Sequence, residues 1–156
     1  MLTRKVIATD ITNLTDARYF AARGVDFLMF SFDQLSIQDI VEIVEWVEGP
    51  KVLILFKEDS LRLLDEAVLK IKPHGVGSRS TKAVGEMEFL SSHVEVFLWQ
   101  GETLTIGPDT YVQIGQSSSL KSLESDVGIL LAGGNEEQVG VKSFEDMDEI
   151  LDALED

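Results

Sequence analysis

Apolar and polar positions alternate along this chain in two rhythms, short unbroken apolar runs and longer stretches with helical spacing. Val6, Ile7 and Ala8 form an uncharged run that suits a strand buried on both faces. Thr12 and Asn13 are helix-starting residues, Asp16 places a negative charge in the first turn, and Ala17, Phe20 and Ala21 make one apolar helical face that Gly24 ends. Val25 to Phe32 is a second run rich in β-formers. Ser36 and Asp39 then open a helix with Ile37, Ile40, Val41, Val44 and Val47 as its stripe, closed by Gly49-Pro50. Lys51 to Phe56 is a third strand, followed by a helix that starts at Ser60, turns Leu61, Leu64, Ala67, Val68 and Ile71 inward and ends at Pro73.

The second half keeps the alternation in a weaker form. Residues 74–78 read as a glycine-rich fourth strand, 81–92 as a helix of poor periodicity, and 94–99 as a strong fifth strand. Residues 101–109 are punctuated by Gly and Pro and read as turn rather than helix. Residues 111–114 give a sixth strand, 117–123 at most two helical turns, and 127–132 a seventh strand. Ser143 caps a last helix that turns Phe144, Met147, Ile150, Leu151 and Leu154 inward. Strand and helix in turn over the whole length predict an α/β domain, residues 1–156, with about seven parallel strands and helices outside. An open doubly wound sheet and a closed barrel share this period. Length favours the open sheet, since barrels usually need about 200–250 residues.

Composition narrows the classes. Hydrophobic residues are 44% of the 156, enough for a real core, and there is no cysteine for a disulfide, a thiol nucleophile or a thiolate metal site. No leader and no apolar run of membrane-spanning length is visible, so a cytoplasmic protein is expected. The net charge of −15 speaks against nucleic acid and against anionic membranes as partners. It also opposes a phosphorylated substrate, except where basic residues cluster locally.

Residues just past the carboxyl ends of parallel strands are the ones placed to touch a ligand. Here they are Thr9 and Asp10, Ser31 and Asp33, Lys57, Arg79, and the run Gly133-Gly134-Asn135. Asp10 reads either as a general acid or base or as a structural carboxylate paired with Lys57. Lys57 and Arg79 read either as carboxylate or phosphate ligands or as surface ion pairs with Asp10, Glu58 or Asp33. The glycine pair suits either a backbone anion site or an ordinary turn. Trp46 lies on an amphipathic helix and suits packing or a partner contact, and Trp99 suits a ligand or the core. His74 and His93, the two histidines, have no partner spacing, so no metal is expected. No dinucleotide fingerprint, Walker loop or Ser-His-Asp set appears, and no cofactor is expected.

The opening IATDITNLTDARYFAARGVDFLMFSF resembles the start of phosphoribosylanthranilate isomerase, the (β/α)8-barrel family of tryptophan biosynthesis. That family opens on a strand ending Ile-Cys-Gly-Ile-Thr-Asn, then Leu-x-Asp-Ala, and Ile11, Thr12, Asn13, Leu14, Asp16, Ala17 and Gly24 match it. Near the C-terminus, AGGNEEQVGVKSFEDMDEILDAL is similar to the family's closing glycine motif at Gly134, Glu136, Gly140, Lys142 and Ser143. The resemblance implies a barrel, with strand 127–132 as the family's eighth. It also implies an Amadori rearrangement carried out by a base and an acid. Thr9 stands at the family's catalytic cysteine and Asp10 at its glycine, and YVQIGQ lacks the family's general-acid aspartate. The expectation is therefore a shortened barrel that keeps the scaffold without the isomerase pair. Such a barrel binds a small phosphorylated or carboxylated ligand, or a protein partner. The alternative is an active isomerase, or another enzyme of that type, that uses Asp10. A homodimer is also expected, because residues 101–110 offer no helix to cover the apolar strands on either side.

Overall fold

The structure, a computed structural model, describes residues 2–90, 94–115, 117–132 and 145–155. Within them, eight strands close a barrel in chain order: β1 (Val6–Thr9), β2 (Phe27–Ser31), β3 (Lys51–Phe56), β4 (Gly75–Ser78), β5 (Glu95–Gln100), β6 (Thr103–Ile106), β7 (Asp109–Gln113) and β8 (Gly128–Ala132). Outside lie α1 (Leu14–Ala22), α2 (Ile37–Glu45), α3 (Leu64–Ile71), α4 (Thr81–Leu90) and α5 (Glu145–Leu154). No helix among the described residues is long and apolar enough to cross a membrane.

Closure is made by β8 against β1, in parallel register from Val6 opposite Ile129 to Thr9 opposite Ala132. That pairing excludes the open doubly wound sheet. All seven expected parallel strands are present. The eighth comes from the stretch read as turn: β6 runs antiparallel to both β5 and β7. Its two connections are the two-residue loops Gly101-Glu102 and Gly107-Pro108. Each glycine has positive φ, 58° and 55°, as the first loop residue of such a hairpin requires. Two loops of this length replace two crossover helices, which is how a chain of 156 residues completes a barrel. The expected need for outside cover also disappears. β6 turns Leu104 and Ile106 into the lumen and leaves Thr103 and Thr105 exposed.

Side-chain alternation splits the core into two layers. Ile7, Phe27, Met29, Leu53, Phe97, Trp99, Leu104, Tyr111 and Leu130 fill the lumen. Val6, Ala8, Leu28, Phe30, Ile54, Phe56, Val76, Ile129 and Leu131 face outward and meet Ala17 and Phe20 of α1, Ile40 and Ile43 of α2, Leu64, Ala67 and Ile71 of α3, and Ile150, Leu151 and Leu154 of α5. Gly77 explains the weak look of β4: a Cβ there would lie 2.2 Å from the Phe97 ring. The bare backbone is the space that ring occupies.

Local chemistry sets most helix ends. Asn13 Oδ1 accepts the Asp16 amide at 2.8 Å and starts α1. Ser36 and Asp39 exchange backbone hydrogen bonds at 3.1 Å in a capping box before α2. Ser60 departs from expectation. It does not open an α-helix but sits inside a 3-10 turn, Glu58–Leu63, where its hydroxyl accepts the Lys57 amide at 2.9 Å, and α3 begins at Leu64. The short helix expected at 117–123 is a 3-10 turn at Ser117–Ser122. The expected cap Ser143, and Phe144 beside it, lie outside the described residues.

Candidate functional site

The carboxyl ends of the parallel strands open onto a cavity of about 540 Å³ at one mouth of the barrel. β1 supplies two consecutive residues with different fates. Thr9 points into the lumen, is buried, and donates its hydroxyl to Met29 Sδ at 3.6 Å. It does not line the cavity. Regular alternation would turn Asp10 outward toward the helices. Instead Asp10 adopts a left-handed conformation, φ 58°, which re-aims its carboxylate into the cavity wall. Aspartate tolerates this region better than most residues. Burial pushes the Asp10 carboxyl above the usual carboxylate range, while the Arg79 guanidinium pulls it part of the way back.

The other walls follow in strand order. Ser31 ends β2, and its hydroxyl accepts the Asp33 amide at 3.3 Å. Lys57 follows β3 and pairs with Asp33, Nζ to Oδ2 at 3.1 Å, with both side chains about half exposed. That pair sits at the rim, where an ion pair adds little stability. Glu58 accepts a hydrogen bond from the Ser80 hydroxyl at 2.8 Å. Arg79 follows β4 and is held on two sides. Its guanidinium carbon lies 3.8 Å above the Trp99 ring, and its Nη1 donates to the Gly101 carbonyl at 3.3 Å. Trp99 is 3% exposed at the top of β5, and Gly101 is the first residue of the loop into β6. The antiparallel hairpin that completes the barrel is thus also the part that fixes Arg79. Gln113, the last residue of β7, adds a neutral amide to the wall.

Six of the residues singled out from the sequence, Asp10, Ser31, Asp33, Lys57, Arg79 and Trp99, therefore share one cavity. Of the partners expected for Lys57, Asp33 is the one engaged. Gly133, Gly134 and Asn135 lie outside the described residues, as does His93. His74 stands at the opposite end of the barrel, 3.7 Å from Glu95. Trp46, the C-cap of α2, is 66% exposed, so packing does not account for it. Among the described residues no group of three or more His, Cys, Asp or Glu side chains is arranged to hold a metal ion. Sequence reading missed Gln34, Ser78, Ser80 and Gln113. Each lies at or within a few residues of a strand's carboxyl end, so the rule that found Asp10 would have found them had it been applied to uncharged side chains.

No family model and no curated protein matches the chain. Solved structures do. N-(5'-phosphoribosyl)anthranilate isomerase from Pyrococcus furiosus superposes with a TM-score of 0.68 at 12% identity, over 97% of this chain and 98% of that one. A phosphoribosylanthranilate isomerase from Thermotoga maritima, described as mutually generated monomers of a dimeric enzyme, gives 0.63 at 13% identity over 97% and 98%. A further phosphoribosyl anthranilate isomerase, solved in complex with reduced 1-(o-carboxyphenylamino)-1-deoxyribulose 5-phosphate, gives 0.63 at 14% identity over the same shares. At such identities the likeness is one of architecture, and it agrees with the sequence motifs at both ends of the chain: this protein has the fold of phosphoribosylanthranilate isomerase, with near-complete coverage on both sides.

Proposed function

We propose that this chain binds a small carboxylate- or phosphate-bearing ligand in the barrel mouth and does not catalyse phosphoribosylanthranilate isomerisation. The observation that carries the binding half is Arg79. Stacking on Trp99 and the bond to Gly101 fix its planar fork before any ligand arrives, which lowers the entropy cost of recognising an anion. Lys57 stands at the same cavity, and Gly133, Gly134 and Asn135, directly after β8, stay in the proposal on sequence grounds as backbone donors. One fold neighbour was solved with a molecule bearing both a carboxylate and a phosphate, which supports the ligand class. The loss of isomerase chemistry rests on two positions. Thr9 stands where the resemblance puts the base, and its hydroxyl is buried against Met29. The sixth strand, after which the resemblance puts the acid, is the antiparallel β6, whose carboxyl end points away from this mouth. Gln113 at the end of β7 is an amide that cannot deliver a proton in an acid's place.

Thermal melting with millimolar phosphate and acetate tests this directly. Both should raise the melting temperature of the native chain by linkage, and Arg79→Ala should abolish the shift. An unchanged shift in Arg79→Ala removes the mouth as the site. A second reading, an active enzyme of the isomerase type, is favoured by Asp10 alone, because its left-handed backbone and raised proton affinity suit an acid or base. Growth of an isomerase-deficient strain on this chain, lost with Asp10→Asn, would establish that reading in place of the first. Self-association as a homodimer belongs to the same proposal. Its support is a dimeric fold neighbour and the exposed Trp46, Leu69 and Phe89.

A further inference from the structure

The charges around the mouth cavity are not equivalent. Lys57 and Asp33 neutralise each other at 3.1 Å, and Glu58 is engaged by the Ser80 hydroxyl. Glu58 keeps its negative charge but is held by that hydroxyl. Among the described residues that line the cavity, Asp10 and Arg79 are the two charged groups with no hydrogen bond or ion pair to another side chain. They line the same cavity and feel each other's charge, yet no ion pair joins them. Among the described residues the Asp10 carboxylate has no hydrogen-bond donor, and Arg79 gives one N–H to Gly101 and keeps the rest of its fork. Neither side chain is free to close the gap. Arg79 is held by Trp99 and by the Gly101 carbonyl, and the left-handed backbone of Asp10 sets where its carboxylate enters the cavity wall. Two opposite and unjoined charges in one partly buried cavity weaken the binding of simple ions of either sign. A plain anion meets Asp10, and a plain cation meets Arg79.

We propose that the mouth recognises a small amine–carboxylate, with the carboxylate on Arg79 and the ammonium on Asp10. This rests on the anion-binding reading above and narrows its ligand class. A molecule bearing both groups gains two charge-assisted hydrogen bonds where a single-charge fragment gains one and meets one repulsion. Asp10 sets the preference for the amine, and Arg79 supplies the anion contact common to both classes.

The test is a titration of the isotope-labelled chain at constant ionic strength, followed by amide and indole nitrogen resonances. The probes are glycine, β-alanine and 4-aminobutyrate, which step the distance between the two charges, and acetate, ethylammonium and inorganic phosphate. The Trp99 indole signal reports the cavity, and Trp46, exposed at the C-cap of α2, serves as the internal control. At least one amine–carboxylate should bind about tenfold or more tighter than acetate and ethylammonium, since a hydrogen bond to a charged group is worth about 1.5–3 kcal/mol. Asp10→Asn should erase that preference and leave acetate bound as well or better, and Arg79→Gln should weaken every carboxylate. Spectra of both variants report whether they fold, and Asp10→Ser stands in for Asp10→Asn if the latter does not. Acetate or phosphate binding at Trp99 as tightly as every amine–carboxylate overturns the inference and leaves the anion site standing. So does a preference that survives loss of the Asp10 carboxylate. Silence of the Trp99 signal with every probe overturns both.

Discussion

Asp10 shows how one backbone angle can redirect a side chain. A residue at φ 58° steps out of the strand's alternation, and here it brings a carboxylate from the helix layer to the barrel mouth. The left-handed region is also where a glycine is least strained, which fits the glycine of the resembling pattern at this position. The raised proton affinity of Asp10 has a defined sign in stability. Its folded pKa lies above its unfolded one, so its contribution is complete below the ordinary carboxylate value and is lost as pH rises through the raised one. Urea melts of the native chain and of Asp10→Asn should therefore show the variant more stable at neutral pH, with the gap closing as the medium is acidified toward the ordinary carboxylate value. A gap that is constant with pH would assign the effect to the backbone rather than to the charge. Tyr111 makes a second residue-scale case. Its hydroxyl is buried without a hydrogen-bond partner among the described residues, and burial pushes its pKa up. Tyr111→Phe keeps the edge contact with Phe27 and removes the unsatisfied group, so chemical denaturation should show a gain of about 1 kcal/mol.

At the scale of elements the antiparallel hairpin β5–β6–β7 does two jobs. It closes the wall where two crossovers are missing, and its first loop presents the Gly101 carbonyl to Arg79. The second loop has only the structural job, so Gly107→Ala isolates it. A side chain forced to φ 55° costs about 1–2 kcal/mol, and the midpoint of urea unfolding should fall accordingly while ligand-induced shifts at the Trp99 indole keep their size. Gly101→Ala should lose stability by a similar amount and also weaken anion binding, because the carbonyl that anchors Arg79 moves with the loop. Equal binding by the two variants would separate Arg79 from the hairpin.

For the whole molecule the governing quantity is charge. A net −15 spread over 156 residues repels a second copy at every approach, so a homodimer has to form through an apolar centre. Trp46, Leu69 and Phe89, at 66%, 72% and 90% exposure, are the exposed large apolar side chains among the described residues. Salt shortens the range of the repulsion, the Debye length being about 10 Å at 0.1 M and about 3 Å at 1 M. Light scattering at micromolar concentration should accordingly show the dimer fraction growing with salt. A mass of one chain across that whole range would dispose of the homodimer.

β1, β2, β3 and β8 were legible because a strand buried on both faces reads as an apolar run. β4 is glycine-rich, and β5 and β7 carry Glu95 and Gln113, so those three were legible from their shorter apolar stretches and from their place in the alternation. The residues after those runs were legible for the same reason, and Asp10, Lys57 and Arg79 do share one cavity. The caps of α1 and α2 were legible because Asn13, Ser36 and Asp39 act on backbone only a few residues away. β6 was missed as a strand although its signals are local. Thr103 to Ile106 alternates polar and apolar, and the dipeptides Gly101-Glu102 and Gly107-Pro108 are two-residue hairpin loops, but glycine and proline were read only as breaks. Other features had no local signal. Whether the sheet closes depends on β8 reaching β1 across the 118 residues between Thr9 and Gly128, and the period of the pattern is the same for an open sheet. The conformation of Asp10 and the contact of Arg79 with Trp99 likewise arise only once the strands are side by side, because each joins atoms that the chain alone keeps far apart or leaves free to rotate.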